Sequence, residues 1–167
     1  RTVVDMPTPM QMPMQTPMTV ADLERVLAIE TMAYSHPWTR GNFVDSLAAG
    51  YLAWLRLDAA GRCIGYCVAM PGFEEMHLLN ITVAPAAQRR GHARAMLQAL
   101  CEACKAQGRP MLWLEVRQSN AVARQLYTRF GFETVGLRRD YYPAGHGRRE
   151  DAVVMRLALS GSAHALV

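Results

Sequence analysis

The segment ITVAPAAQRRGHARAML, residues 81–97, constrains this chain more than any other. An apolar, strand-like run ends at Pro85, three arginines and a glycine follow, and an Ala/Leu-rich run then reads as a helix from about Gly91 to Ala106. A strand that feeds a helix through a glycine turn opens an α/β unit and makes an anion site. The first helical N–H groups lack intrahelical partners, and the helix dipole favours negative charge there. Arg89, Arg90 and Arg94 add side-chain charge that can fork onto phosphate oxygens. Spacing excludes two phosphate loops. A Walker A loop needs Lys-Ser/Thr after its last glycine, and a dinucleotide fingerprint needs G-x-G-x-x-G; only Gly91 is present here.

Around this unit the chain reads as a mixed α/β domain. TVADLERVLAIETMAY carries Val20, Leu23, Val26, Leu27 and Met32 or Tyr34 at helical spacing, with Thr19 as its cap. HPWTRGNFVDSLAAG adds, after a Pro break, a short helix closed by Gly50. YLAWLRLD and CIGYCVAM read as strands joined by the turn AAGR, and EMHLLNITVAP as a third. MLWLEVR is a fourth, apolar without alternation and therefore expected to be covered on both faces. SNAVARQLYTRFGF is a helix that begins at Ser119 or Asn120 and stops before Gly131; two strands around a Gly/Pro loop complete the chain. At 167 residues this is one domain. Residues 18–160 form the expected fold, 1–17 a disordered Met/Pro-rich tail, and 161–167 a flexible C-terminus.

The formal net charge of +4 suits an anionic ligand. An aromatic-interleaved basic stripe is missing, so no direct nucleic-acid binding is expected. No run approaches the roughly 18 uninterrupted apolar residues of a membrane span, and the tail lacks the apolar core of a signal peptide; the expected location is cytoplasmic. Cys63 and Cys67, and Cys101 and Cys104, are spaced closely enough to suggest zinc. CEAC lies inside a run that reads as unbroken helix, however, so no metal and reduced, packed thiols are expected.

Gln88, Gly91 and Ala93 match the pattern Q/R-x-x-G-x-G/A after a strand ending in Val-x-Pro. WLEVRQSNAVARQLYTRFGF, RRDYYPAGHGRREDAVVM and HPWT with Phe43 extend the match to roughly residues 18–158. On these motifs the chain resembles the GNAT superfamily of acyl-CoA-dependent N-acyltransferases. Within it the chain resembles the RimI-type subfamily, bacterial enzymes that acetylate the N-terminal alanine of a small-subunit ribosomal protein. The departure is Ala93, where many members have a second glycine; it falls at the helix start, where φ is ordinary.

The resemblance implies a single GNAT-like domain with a mixed, mostly antiparallel central sheet flanked by helices. It implies acetyl-CoA as co-substrate, no metal, and the N-terminus of a small-subunit ribosomal protein as partner. Ile81, Thr82 and Val83 would lie along the pantetheine arm, and N–H groups of Arg89, Arg90, Gly91, His92, Ala93 and Arg94 would hold the pyrophosphate. The His92 side chain is expected on the surface. Asn120 matches the cofactor-binding asparagine, Glu115 the proton acceptor and Tyr127 the general acid.

The residues support this chemistry in their own right. Acetyl transfer to an amine needs the amine neutral, the thioester carbonyl polarised and the departing thiolate protonated. Glu115 stands between Leu114 and Val116, where a carboxylate is costly unless paired, with Arg117 as the neighbouring candidate, or used as a base. Tyr127 follows Asn120 by seven residues, two helical turns or about 10 Å along one face. Its phenol can protonate a thiolate, or it can be a core aromatic. The cysteines' apolar settings favour direct transfer over an acyl-enzyme. Trp38, Tyr141 and Tyr142 are candidates for the acceptor slot, and Glu150 and Asp151 for meeting a basic residue behind the acceptor's N-terminus; the alternative is a charged, exposed hairpin. An α-amine costs roughly 3 kcal/mol less to deprotonate at pH 7 than a lysine side chain, which favours N-terminal acceptors. The competing readings are acetylation of lysine or a small amine, a non-catalytic acyl-CoA sensor, and an RNA-associated module.

Overall fold

The computed structural model describes residues 13–159. Four helices flank one seven-stranded sheet: β1 (Met14–Pro17), α1 (Leu23–Ala33), α2 (Arg40–Ala48), β2 (Leu52–Leu57), β3 (Cys63–Gly72), β4 (Glu75–Val83), α3 (His92–Ala106), β5 (Met111–Arg117), α4 (Ala121–Phe130), β6 (Glu133–Pro143) and β7 (Arg149–Ala158). The strand order is β1-β2-β3-β4-β5-β7-β6. Every neighbouring pair is antiparallel except β4 and β5, which α3 joins in parallel. The expected mixed, mostly antiparallel sheet is the one observed. Among the described residues no helix is long and apolar enough to cross a membrane.

Two apolar clusters divide the molecule. Leu23 and Val26 of α1 and Phe43 of α2 pack with Leu55, Tyr66 and Val68 on one face of the sheet. Met96, Leu97 and Leu100 of α3 and Tyr127 of α4 pack with Cys67, Leu78, Leu112, Leu114 and Val116 on the other. Along α1 the expected stripe is correct at Leu23 and Val26, whereas Met32 faces solvent and Glu30 takes a buried place.

Two expectations need correction. The tail does not run to residue 17: Met14–Pro17 pair with Leu57 to Trp54 of β2, and Met18 is buried. Proline is compatible with an edge strand, so the Pro/Met composition did not exclude pairing. Residues 1–12 and the expected C-terminal end lie outside the described residues. Nor is β5 covered on both faces. Leu112, Leu114 and Val116 are buried on one face, while Met111, Trp113, Glu115 and Arg117 on the other are less buried as residues and none joins the α1/α2 cluster.

The ladder between β3 and β4 shifts register, pairing Val68 with Asn80 but Ala69 with Leu78. Leu79 is the extra residue of a bulge, and the bulge reverses which side chains face which helices. Before it, Met76 and Leu78 join the α3 cluster; after it, Ile81 and Val83 pack there, while Asn80 and Thr82 turn toward α1. Pairing with β5 ends at Leu78–Leu114, the same place.

Close packing along this stretch makes Gly65 obligatory. A Cβ there would stand 2.7 Å from Thr82 O and 3.2 Å from Met96 Cε. Gly65→Ala is expected to lower stability by about 1–3 kcal/mol, read as a fall in Tm by thermal unfolding.

Candidate active site

Beyond Leu78 and Leu114 the two parallel strands part, and the gap is the centre of the site. Ala84 N–H donates to Ile64 O at 2.8 Å, which sets the antiparallel alternation along β4. By that alternation the backbone groups of Ile81 and Val83 point away from β3, into the gap. Gln88 Nε2 donates to Val83 O at 3.2 Å, tying the loop to the strand's end. A cavity of about 380 Å³ opens here, with Trp38, Ile81, Glu115, Asn120, Tyr127 and Tyr142 in its wall.

The Glu115 side chain is only 7 % exposed, and both of its oxygens are engaged. Oε2 meets Nε2 of His77 on β4, and Oε1 lies 3.2 Å from Arg138 Nε on β6. Arg117 is not its partner. That guanidinium donates to Glu150 Oε1 at 2.9 Å and to Pro143 O at 2.8 Å. Hydrogen bonding from Arg117 and Ser119 holds the Glu150 carboxyl below its usual range. Asp151 Oδ1 accepts from Asp140 N–H at 2.9 Å. Glu150 and Asp151 therefore brace the β6–β7 hairpin, which favours the hairpin reading over the one in which they meet a basic residue of the acceptor.

Tyr127 reaches the cavity from the opposite face of the sheet. Its ring packs edge-on to Phe132 at 5.6 Å, and burial pushes its hydroxyl well above the ordinary phenol value. Asn120 and Tyr127 line the same cavity along one side of α4, as their spacing predicts. Asn120 also caps that helix, its side chain accepting from Ala123 N–H at 3.1 Å, which leaves its Nδ2 protons for another partner.

At the phosphate loop, Arg89 (φ 64°) and Gly91 (φ 82°) are left-handed, so the chain folds into an amide-lined concavity before α3. No side-chain bond or ion pair among the described residues engages Arg89 or Arg90. Arg94 lies over the Phe130 ring at 5.7 Å. The His92 side chain is half-buried, contrary to expectation: its Nδ1 lies 2.8 Å from Nε of Arg56 on β2, and burial and nearby Arg56 and Arg90 lower its pKa.

On the acceptor side, Trp38 packs at a tilt against Phe43, with ring centroids 5.1 Å apart, and also walls the cavity, so it packs and lines at once. Tyr142 lies in the wall beneath Arg117 at 4.6 Å; Tyr141 is 42 % exposed and is not part of that wall. Sequence reasoning missed His77, Arg138, Tyr34 and Glu30. The available signal was a histidine inside the apolar run EMHLLNITV and a glutamate at a buried position of α1. Burial pushes Cys67 up to about 12 and Cys101 up to about 11, leaving both thiols protonated and poor nucleophiles at neutral pH.

A strand pair split by a bulge, a carboxylate and a phenol facing one gap, and an amide-lined loop before a helix together define a class of acyl-transfer fold. The chain belongs to the Acetyltransferase (GNAT) family, whose profile matches residues 23–132. It is an N-acetyltransferase, 38% identical over 138 residues to the [Ribosomal protein bS18]-alanine N-acetyltransferase of Haemophilus ducreyi, covering 83% of this chain and 94% of that protein. The crystal structure of the ribosomal-protein-S18-alanine N-acetyltransferase from Escherichia coli superposes with a TM-score of 0.83 at 35% identity, over 93% of this chain and 99% of that one. A GNAT superfamily phosphinothricin acetyltransferase from Sinorhizobium meliloti, solved in complex with AcCoA, shares the fold at a TM-score of 0.74 and 22% identity, over 94% and 93% of the two chains.

Proposed function

We propose that this protein is a cytoplasmic, acetyl-CoA-dependent Nα-acetyltransferase acting on the N-terminal alanine of a small-subunit ribosomal protein. The observation that carries the reading is the gap between β4 and β5, with Glu115 and Tyr127 in the wall of one cavity. The similarity to bS18-alanine N-acetyltransferases over most of both chains supports the choice of acceptor.

Acetyl-CoA supplies the acyl group. The amide-lined turn of Arg89–Arg94 holds its pyrophosphate, and the outward backbone groups of Ile81 and Val83 hold the pantetheine and polarise the thioester. Thr82 supports that strand from behind through its side chain, and Asn120 Nδ2 donates to the cofactor. Trp38 and Tyr142 wall the acceptor's path, and the ammonium displaces Arg138 from Glu115.

Glu115 then takes one proton from the ammonium and His77 carries it toward solvent. The neutral nitrogen attacks the thioester carbonyl, the C–S bond breaks, and Tyr127 protonates the sulfur. The nitrogen's second proton returns to Tyr127, so one proton is released per turnover.

Mass-resolved acetylation of two peptides tests the acceptor. One begins with free Ala-Arg and has its lysines blocked; the other has a blocked N-terminus and free lysines. Acetate on only the first is the expected result, and acetate on only the second replaces the acceptor with lysine.

A further inference from the structure

Three donors converge on Glu30, which is 1 % exposed and faces no cation among the described residues. Trp38 N–H donates to Oε2 at 2.9 Å, and Tyr66 O–H and Asn80 Nδ2 donate to Oε1 at 2.7 and 3.0 Å. Because Asn80 turns its amide nitrogen to this carboxyl, its Oδ1 faces Thr82 and can only accept. Thr82 Oγ1 lies 2.7 Å from that oxygen, so the threonine proton is committed to it. Thr82 Oγ1 also lies 2.6 Å from Tyr34 Oη. The proton in that second contact must then come from Tyr34, since the reverse direction would leave Thr82 and Asn80 in contact with no proton between them. Ile81 O, at 3.3 Å from Tyr34 Oη, is thereby left without it. Burial holds the Tyr34 phenol above its ordinary pKa, so it has this proton to give.

Tyr34 thus lies in the cavity wall with its single proton turned inward, offering only lone pairs to the cavity. It stands on α1's face of the sheet with Trp38, opposite the side from which α3 and α4 supply the phosphate loop and Tyr127. We infer that Tyr34 is an amine-positioning residue: its oxygen accepts one N–H of the attacking α-amine and aims the nitrogen lone pair at the thioester. This rests on the Nα-acetyltransferase reading above. The direction of the chain from Tyr34 through Thr82 and Asn80 to Glu30 is what the chemistry needs. A hydroxyl free to donate would bond the amine's lone pair and suppress its nucleophilicity. With its proton committed to Thr82, Tyr34 cannot do so.

The test is a double-mutant cycle with the α-amine peptide. Tyr34→Phe is expected to lower kcat/KM for the peptide by about tenfold, the worth of one hydrogen bond, with KM for acetyl-CoA unchanged. Thr82→Val releases the Tyr34 proton to Ile81 O or to the cavity, so the oxygen is no longer fixed as an acceptor, and is expected to lower kcat. In the Tyr34→Phe background, Thr82→Val then adds no further loss, and Thr82→Ser, which keeps the chain of donors, loses less kcat than Thr82→Val when Tyr34 is present. Losses that add, a loss confined to KM for acetyl-CoA, or an unaffected Tyr34→Phe overturns the proposal. If Thr82→Val fails to fold, the peptide-versus-cofactor split of Tyr34→Phe decides it. Wild-type enzyme that acetylates no α-amine overturns the acceptor assignment itself; wild-type turnover with an indifferent Tyr34→Phe overturns this inference alone.

Discussion

Replacing Glu115 with Gln is expected to lower kcat on an α-amine peptide by about a hundred- to ten-thousand-fold, the range of a lost general base. Glutamine keeps the shape of the side chain and can still accept from His77, so folding and acetyl-CoA affinity should persist. Steady-state kinetics beside calorimetric titration of acetyl-CoA and a thermal melt separate these effects. The peptide amine enters ionised at neutral pH, so the variant must rely on the small neutral fraction, and its rate should climb as pH rises toward the α-amine's pKa of about 8. A kcat near wild type would move the base from Glu115 to His77 or solvent.

Tyr127→Phe should reduce kcat by about a hundredfold through loss of the proton donated to the leaving sulfur. Stability should hardly change, because no described side chain hydrogen-bonds the hydroxyl while the ring keeps its contact with Phe132. The pH sign follows from burial, which raises the phenol above its ordinary value. The acid form is present at low pH and survives beyond the usual phenol titration near 10. Tyr127 therefore contributes no alkaline fall in activity below about pH 10, and any such limb seen in wild type should remain in the variant. An unchanged kcat with a shifted KM for acetyl-CoA would reassign Tyr127 to cofactor packing.

The family resemblance made these two residues the candidates, and each also left a local trace. Glu115 interrupts an apolar strand, and Tyr127 shares a helical face with Asn120. The loop was equally accessible, since Gly91 is demanded by a backbone angle of one residue. Their partners left no such trace. Arg117 was the nearest cation to Glu115 in sequence, yet alternation of the pleat sends the two along one strand face toward different neighbours. Arg117 meets Glu150, while Glu115 meets His77 and Arg138. The boundary at residue 17 failed for a related reason: a Pro-containing segment without a core of its own became a strand because β2 offered an unpaired edge.

Residue types and short-range periodicity determined the elements and the anion-binding turn, since these depend on steric and hydrogen-bonding preferences within a few residues, while motif resemblance supplied the family and the acid and base candidates. Tertiary structure alone decided that β4 carries a bulge at Leu79 and parts from β5, that Glu150 is tied down, and that Tyr34 lines the cavity beside Thr82. Each of those is a choice of partner among residues far apart in the chain. Such a choice depends on which strands lie side by side and which face each side chain takes, and a single-residue bulge is enough to reverse it.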